Sequence, residues 1–264
     1  MKAAQDNMKI YNPLKDYKET QGFGENKACC KTDLTGKVLE PYQIVGTVLG
    51  KCPLRSVPFY KQIGMDGHNG LDVKCSVGTP LYFPVDADVE WWSRSYIDDA
   101  GGVTLDIHSS KRIKLDKLPA QAGKLARQEY EAHNGMVYVM FRFIHLSEIL
   151  VKDAKRPSPE DPRPAPNVKL GDLIAKTGNT GASGGPHLHW GMKIVAENSM
   201  TLDNNNGYYG ALDFTPFQVD RFVNAEAPAP NPVKKKLIEA MLALIKLLEM
   251  KRDKLQKELD EKSK

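Results

Sequence analysis

Several absences narrow this 264-residue sequence before any motif is read. The N-terminal stretch MKAAQDNMKIYNPLKDYKET contains no apolar run of the roughly 7–15 residues that a secretory signal needs. The most apolar later segment, Leu237 to Met250, is too short to span a bilayer and is broken by Glu239, Lys246 and Glu249. The expectation is therefore synthesis in the cytoplasm without a signal peptide, and no stable membrane insertion. Charge of one sign is also scarce, since 37 basic residues stand against 33 acidic ones for a net charge of +4. The basic residues are interleaved with acidic ones and form no aromatic-basic pattern, so a nucleic-acid partner is not expected. The four cysteines, Cys29, Cys30, Cys52 and Cys75, include no C-x-x-C pair, which argues against a cysteine metal site. They leave open either free thiols or a bridge from Cys29 or Cys30 to Cys52 or Cys75. No internal repeat is present.

The sequence does hold enough apolar residues (41%) and charge (27%) for one well-cored globular domain with extensions. Residues 1–40 read as a polar, irregular N-terminal segment with the first strand, and Gly22 and Gly24 mark a turn in TQGFGEN. Residues 41–224 read as one mainly β domain. Its short alternating or β-branched segments, TPLYFPV, DVEWWS, GVTLDIH, MVYVMFRFI and HLHWGMKIV, are separated by Gly, Pro, Asn and Asp clusters, as in an antiparallel sheet. Two interruptions, a charged helix-forming excursion at 111–134 and a Pro-rich loop at 152–168, are expected to border the active face as walls. A Pro-rich linker at 225–233 precedes an amphipathic C-terminal helix at 234–264. On that helix Ile238, Met241, Ile245, Leu248, Leu255 and Leu259 follow a 3-and-4 spacing broken at Arg252, a short seam suited to a homo-oligomeric coiled coil or to docking on its own domain.

Two segments, GHNGLDV at 67–73 and GGPHLHWGM at 184–192, concentrate chemistry in a chain with only six histidines. In a strand, His187 and His189 at i and i+2 point the same way and can converge on one ion, whereas in a helix they diverge. His68 and Asp72, four apart, return to one side, and Asn69 and Gly70 favour a loop entering a strand at Leu71. Together the segments offer imidazoles and a carboxylate to one metal, with a position left for water, as a catalytic zinc requires. No H-E-x-x-H occurs, which excludes the helical zincin class. His145 in FRFIHLSEI is a candidate for a group beside the metal. His108 and His133 read as structural or surface residues, with His108 the better placed of the two to approach the site.

The motifs H-N-G-L-D at 68–72, F-I-H-L-S at 143–147 and K-T-G-N-T-G-A-S-G-G-P-H-L-H-W-G at 176–191 resemble those of the lysostaphin-type zinc metallopeptidases, the LytM-like peptidoglycan endopeptidases. The resemblance runs from about Thr20 to about Phe222, includes V-G-T-P-L-Y-F-P-V-D-A at 77–87, and does not cover the C-terminal helix. It implies a small antiparallel β-sheet with Zn2+ in a groove, held by His68, Asp72 and His189, with His145 and His187 as the non-ligand catalytic pair. It also implies bacterial peptidoglycan as the partner, reached after lysis, injection or a non-standard export route, as by a phage-type lysin. Both interruptions are departures from compact members of the family and bear on groove width and substrate preference. Two other readings compete: a non-catalytic binding module, which should lack one or more of these five groups, and a structural part of a phage or secretion assembly built on the C-terminal helix.

Overall fold

The computed structural model describes residues 8–25, 60, 64–154, 165–224 and 251. Cys29, Cys30, Cys52, the middle of the Pro-rich loop, the linker at 225–233 and, Lys251 apart, the C-terminal helix with its proposed seam lie outside the described residues. Alternation of apolar and polar side chains organises the rest. MVYVMFRFI sits in a long strand, β9 (Met136–Ile149), with Val137, Val139, Phe141 and Phe143 fully buried on one face. Antiparallel to it run β11 (His187–Val195), β7 (Gly102–Ser109) and β10 (Leu173–Thr177). The sheet extends through β3 (Leu71–Lys74) and β2 (Glu19–Gln21) beyond β11, through β4 (Pro80–Tyr82) beyond β10, and through β6 (Trp91–Asp98) beyond β7. Short strands β8 (Ile113–Lys114) and β12 (Ala211–Leu212) pair with β9 and β11. A second, three-stranded sheet sets β1 (Lys9–Asn12) between β5 (Val85–Asp86) and β13 (Gln218–Phe222), and β1 pairs in parallel with β13. The mainly β, antiparallel expectation thus holds. The N-terminal segment contributes more than one strand, because Met8, Ile10 and Leu14 are core residues.

One face of β9 and β11 carries the core. Trp190 stacks on Phe143 with ring centroids 5.9 Å apart and meets Phe214 edge-on at 4.5 Å. The burial of such large rings stabilises the sheet by roughly 1.5–3 kcal/mol per side chain and fixes its register, because a one-residue slip would turn each ring to the other face. Leu188 and Trp190 point into this core, so His187 and His189 necessarily emerge on the opposite face. Among the described residues, no helix is long and apolar enough to cross a membrane. Cys75 has no disulfide partner among the described residues.

The first of the two interruptions is arranged differently from expectation. The excursion at 111–134 forms β8 and a helix, α1 (Lys124–Ala132), whose first-turn amides at Leu125 and Ala126 donate to the Asp203 carboxylate at 3.0 and 2.7 Å. It joins the end of β9 away from His145, with Ile113 opposite Val137. His145 lies eight positions along β9 from Val137, a span of about 27 Å at ~3.4 Å per residue. Its apolar residues Ile113, Leu115, Ala122 and Ala126 belong to the core, which explains the placement: the excursion caps the sheet instead of walling the active face. The described ends of the Pro-rich loop are tied to β6, where the Asn167 side chain accepts from Ser93 N at 2.9 Å and Ala154 N donates to Ser93 O at 2.9 Å.

Candidate metal centre

β3 and β11 are neighbours, and their register sets His189 directly opposite Asp72. Asn69 and Gly70 form the loop that enters β3 at Leu71, and that loop swings His68 back over both residues. Three donor atoms consequently meet. His68 Nε2 lies 2.9 Å from His189 Nδ1 and 3.2 Å from Asp72 Oδ1, and His189 Nδ1 lies 3.0 Å from that same oxygen. The three residues are buried, at 2%, 1% and 9% exposure, and they form a His–Asp–His group compatible with one metal ion.

The donor chemistry fits a divalent cation. The His68 Nδ1–H donates to Gly22 O at 3.1 Å, so the neutral ring presents a bare lone pair at Nε2. A lone pair on an imidazole and a carboxylate oxygen, buried within about 3 Å of each other and of a second imidazole nitrogen, repel unless a proton or a cation sits among them. Tetrahedral ligands about 2.0–2.1 Å from a zinc ion are about 3.3 Å apart, close to the spacing seen. Two imidazoles and one carboxylate form a three-ligand set of the catalytic zinc type.

Burial opposes ionisation of Asp72, yet its electrostatic and hydrogen-bonding interactions with the His68 and His189 rings hold its carboxyl well below the usual value. Burial drives His189 down to about 4, against the raising effect of its hydrogen bond to Asp72. Burial and the nearby charge of His187 likewise lower His145. A stability prediction follows for the metal-free protein. Both depressed histidines resist protonation when folded but bind a proton near pH 6.5 when unfolded, so stability is full above that pH and declines as pH falls below it, for His189 down to about 4. Asp72 acts only at lower pH, because its contribution is lost as pH falls through its own depressed value. In chelator, the loss assignable to His189 is at most about 3 kcal/mol between these limits. Thermal melts at pH 7.5 and pH 5 should show a lower midpoint at pH 5, and equal midpoints would contradict the buried, neutral His189.

His187 and His145 stand beside the group. His187 Nδ1 is 2.8 Å from Gly185 O and Nε2 is 3.5 Å from Asp72 Oδ1. The His145 and His187 rings are 4.8 Å apart, and His145 Nδ1 is 2.8 Å from Thr180 O. A carbonyl only accepts, so both Nδ1 atoms carry the proton and both Nε2 atoms are free to accept one. His145 reaches this place through a bulge. Val103 pairs Leu146 while Leu105 pairs Phe143, an extra residue on β9, and His145 takes a left-handed φ of 62°. Regular alternation would have sent its ring toward the core with Phe143.

All five sequence-derived residues therefore come together. His108 does not join them. It stacks on Trp92 at 4.2 Å and pairs with Met140, five residues up β9 from His145. His133 lies near Glu129 at 3.4 Å on α1. The sequence reading missed the carbonyl acceptors Gly22, Thr180 and Gly185, which hold the rings by backbone atoms and so leave no side-chain signature, and Tyr60, whose buried ring centroid is 5.6 Å from that of His68. It also gave Gly70 no task beyond the loop. A Cβ there would lie 2.5 Å from Trp190 O and 2.7 Å from His189 Nε2. Gly70→Ala should therefore tilt the His189 ring and weaken zinc binding by about 10–100-fold in a metal-buffered titration. Unchanged affinity would show that the ring has room to spare.

No protein-family model matches the chain. A curated relative, an uncharacterized metalloprotease of Haemophilus influenzae, is 31% identical over 127 residues, which cover 48% of this chain and 18% of the relative. The match thus spans less than a fifth of that protein's length. Among solved structures the chain is similar to a zinc-containing peptidase from Vibrio cholerae, with 22% identity, 79% of this chain and 41% of that chain covered, and a TM-score of 0.36. It is also similar to the catalytic domain of the antimicrobial peptidase lysostaphin from Staphylococcus simulans, at 21% identity, 67% and 89% coverage and a TM-score of 0.34. A prophage-encoded M23 protein from Enterococcus faecalis is similar at 16% identity, 76% and 97% coverage and a TM-score of 0.35. With TM-scores this low, the functional reading rests on the site's own geometry.

Proposed function

We propose that the chain is a zinc metalloendopeptidase that hydrolyses stem-peptide or cross-link bonds of bacterial peptidoglycan, in the manner of a phage-type lysin. The observation that carries this reading is the buried triangle of His68, Asp72 and His189, with two further imidazoles beside it, His187 with Nε2 3.5 Å from Asp72 Oδ1 and His145 with its ring 4.8 Å from that of His187. In this reading the three triangle residues hold the zinc. A zinc ion so held supplies Lewis acidity, polarising a scissile carbonyl and lowering the pKa of an attacking water toward neutrality.

The chain's own residues do the proton work. His187, with Nδ1–H fixed on Gly185 O and Nε2 beside Asp72, accepts the proton of the attacking water at Nε2 and delivers it to the leaving amine. His145 is kept neutral by burial, the charge His187 gains on taking a proton opposes protonation of His145 further, and the Nδ1–H of His145 is committed to Thr180 O. It therefore meets the reacting atoms first as an acceptor, and can donate to the developing oxyanion only after it has taken a proton. The two rings act as a pair of proton carriers, a finer division of labour than the sequence allowed.

The test is release of soluble peptides from purified walls by the zinc-loaded protein. Release that is abolished by chelator and restored by zinc supports the proposal. Zinc-loaded protein that binds walls and releases nothing favours the non-catalytic binding module.

A further inference from the structure

On the face of β11 that bears His189, the next two outward residues are Gly191 and Lys193, and all three line one cavity of about 220 Å3. Lys193 is only 7% exposed. Its Nζ donates to Tyr209 O at 2.7 Å. Arg142, the cross-strand partner of Gly191, lines the same cavity, but its guanidinium is engaged by both oxygens of Asp106 at 2.8 Å. Asp98 also lines the cavity, and its carboxylate accepts from Gly101 N. A carbonyl satisfies one of three ammonium protons without cancelling the charge, and Asp106, the carboxylate that acts on Lys193, is already engaged by Arg142. Burial and the Arg142 charge accordingly press the Lys193 ammonium down to about 8, against the raising effect of Asp106, which still leaves it charged at neutral pH. A buried cation that is short of counter-charge and opens on a cavity beside a reactive centre has the chemistry of an anion seat.

Building on the peptidase reading, we infer that this cavity is a specificity subsite in which Lys193, with Arg142 beside it, binds a free carboxylate of the substrate peptide. Lys193 lies four positions along β11 from His189, a span of about 14 Å, and the lysine side chain shortens the reach. The carboxylate therefore sits two to four residues of extended peptide from the bond that is cut, at about 3.4 Å per residue. Gly191 adds no side chain between the two positions. The substrate class is an acidic peptide with an unamidated carboxyl group.

The experiment uses the full zinc-loaded chain and cross-linked muropeptides prepared in two forms, with carboxylates free or converted to amides by carbodiimide and ammonia. The wild type should favour the free acid by about 10–100-fold in kcat/KM, carried by KM, as expected for a charge-assisted hydrogen bond. In K193M that ratio should fall toward one, and K193R should restore part of it. Should K193M fail to fold, judged by zinc content and melting, K193Q is read in its place. A wild-type ratio near one overturns the subsite, as does a variant that keeps the preference. If no variant and no preparation gives cleavage, the peptidase reading fails by itself, and calorimetric binding of the same two preparations then judges the subsite. Tighter binding of the free acid, lost in K193M, supports it, and equal binding overturns it.

Discussion

Asp72→Ala is expected to abolish both zinc binding and hydrolysis. The carboxylate is the only anion of the His68–Asp72–His189 group, it touches both imidazole donors within 3.2 Å, and it is buried. Without it, two neutral rings would face a doubly charged ion in an environment poor in water. Removing one partner of a buried charge pair costs roughly 3–5 kcal/mol, about 10²–10³-fold or more in metal affinity. At submicromolar free zinc the variant should thus be empty and inactive. The isosteric D72N separates charge from shape: it should fold, since the amide fills the same space, and still fail to hold the metal. Zinc retention by D72N at wild-type affinity would mean that the carboxylate is structural.

His187→Ala gives the second-largest effect and the opposite pattern. The His187 ring lies outside the triangle, with its Nε2 3.5 Å from Asp72 Oδ1 and its Nδ1 turned to Gly185 O. The variant should keep stoichiometric zinc and lose about 10²–10⁴-fold in turnover, the usual worth of a positioned acid-base group. The loss should fall on kcat, because proton transfer is made in the transition state and contributes little to ground-state binding. A His187→Ala enzyme with normal turnover would move the base role to His145. Loss of zinc in the same variant would instead make His187 a ligand.

How much of this was legible in the sequence depends on the kind of signal. Strand alternation placed His187 and His189 on one face, and the apolar pair Leu188 and Trp190 made that orientation compulsory. The Asn69–Gly70 loop and the entry into β3 at Leu71 were likewise local, and both are found. The pairing of β3 with β11 that sets Asp72 against His189 is long-range, and spacing alone did not supply it. His145 marks the limit most sharply: alternation assigns it to the core face, and only the bulge, a register event between β7 and β9, brings it to the site. The 111–134 excursion was misplaced because charge and helix propensity report an element's exposure, not which end of a sheet it caps. Lys193 was passed over since a lysine within HLHWGMKIV reads as an ordinary solvent-facing strand residue, and its burial, with Nζ on Tyr209 O, is a tertiary fact.

The central claim is that three side chains from β3, β11 and the loop before β3 grip one zinc ion. Elemental analysis of the purified full chain, dialysed against trace zinc, measures this directly alongside Asp72→Ala. One zinc per chain in the wild type and essentially none in the variant is the predicted result. No zinc in the wild type, or the same zinc content in both, would contradict it.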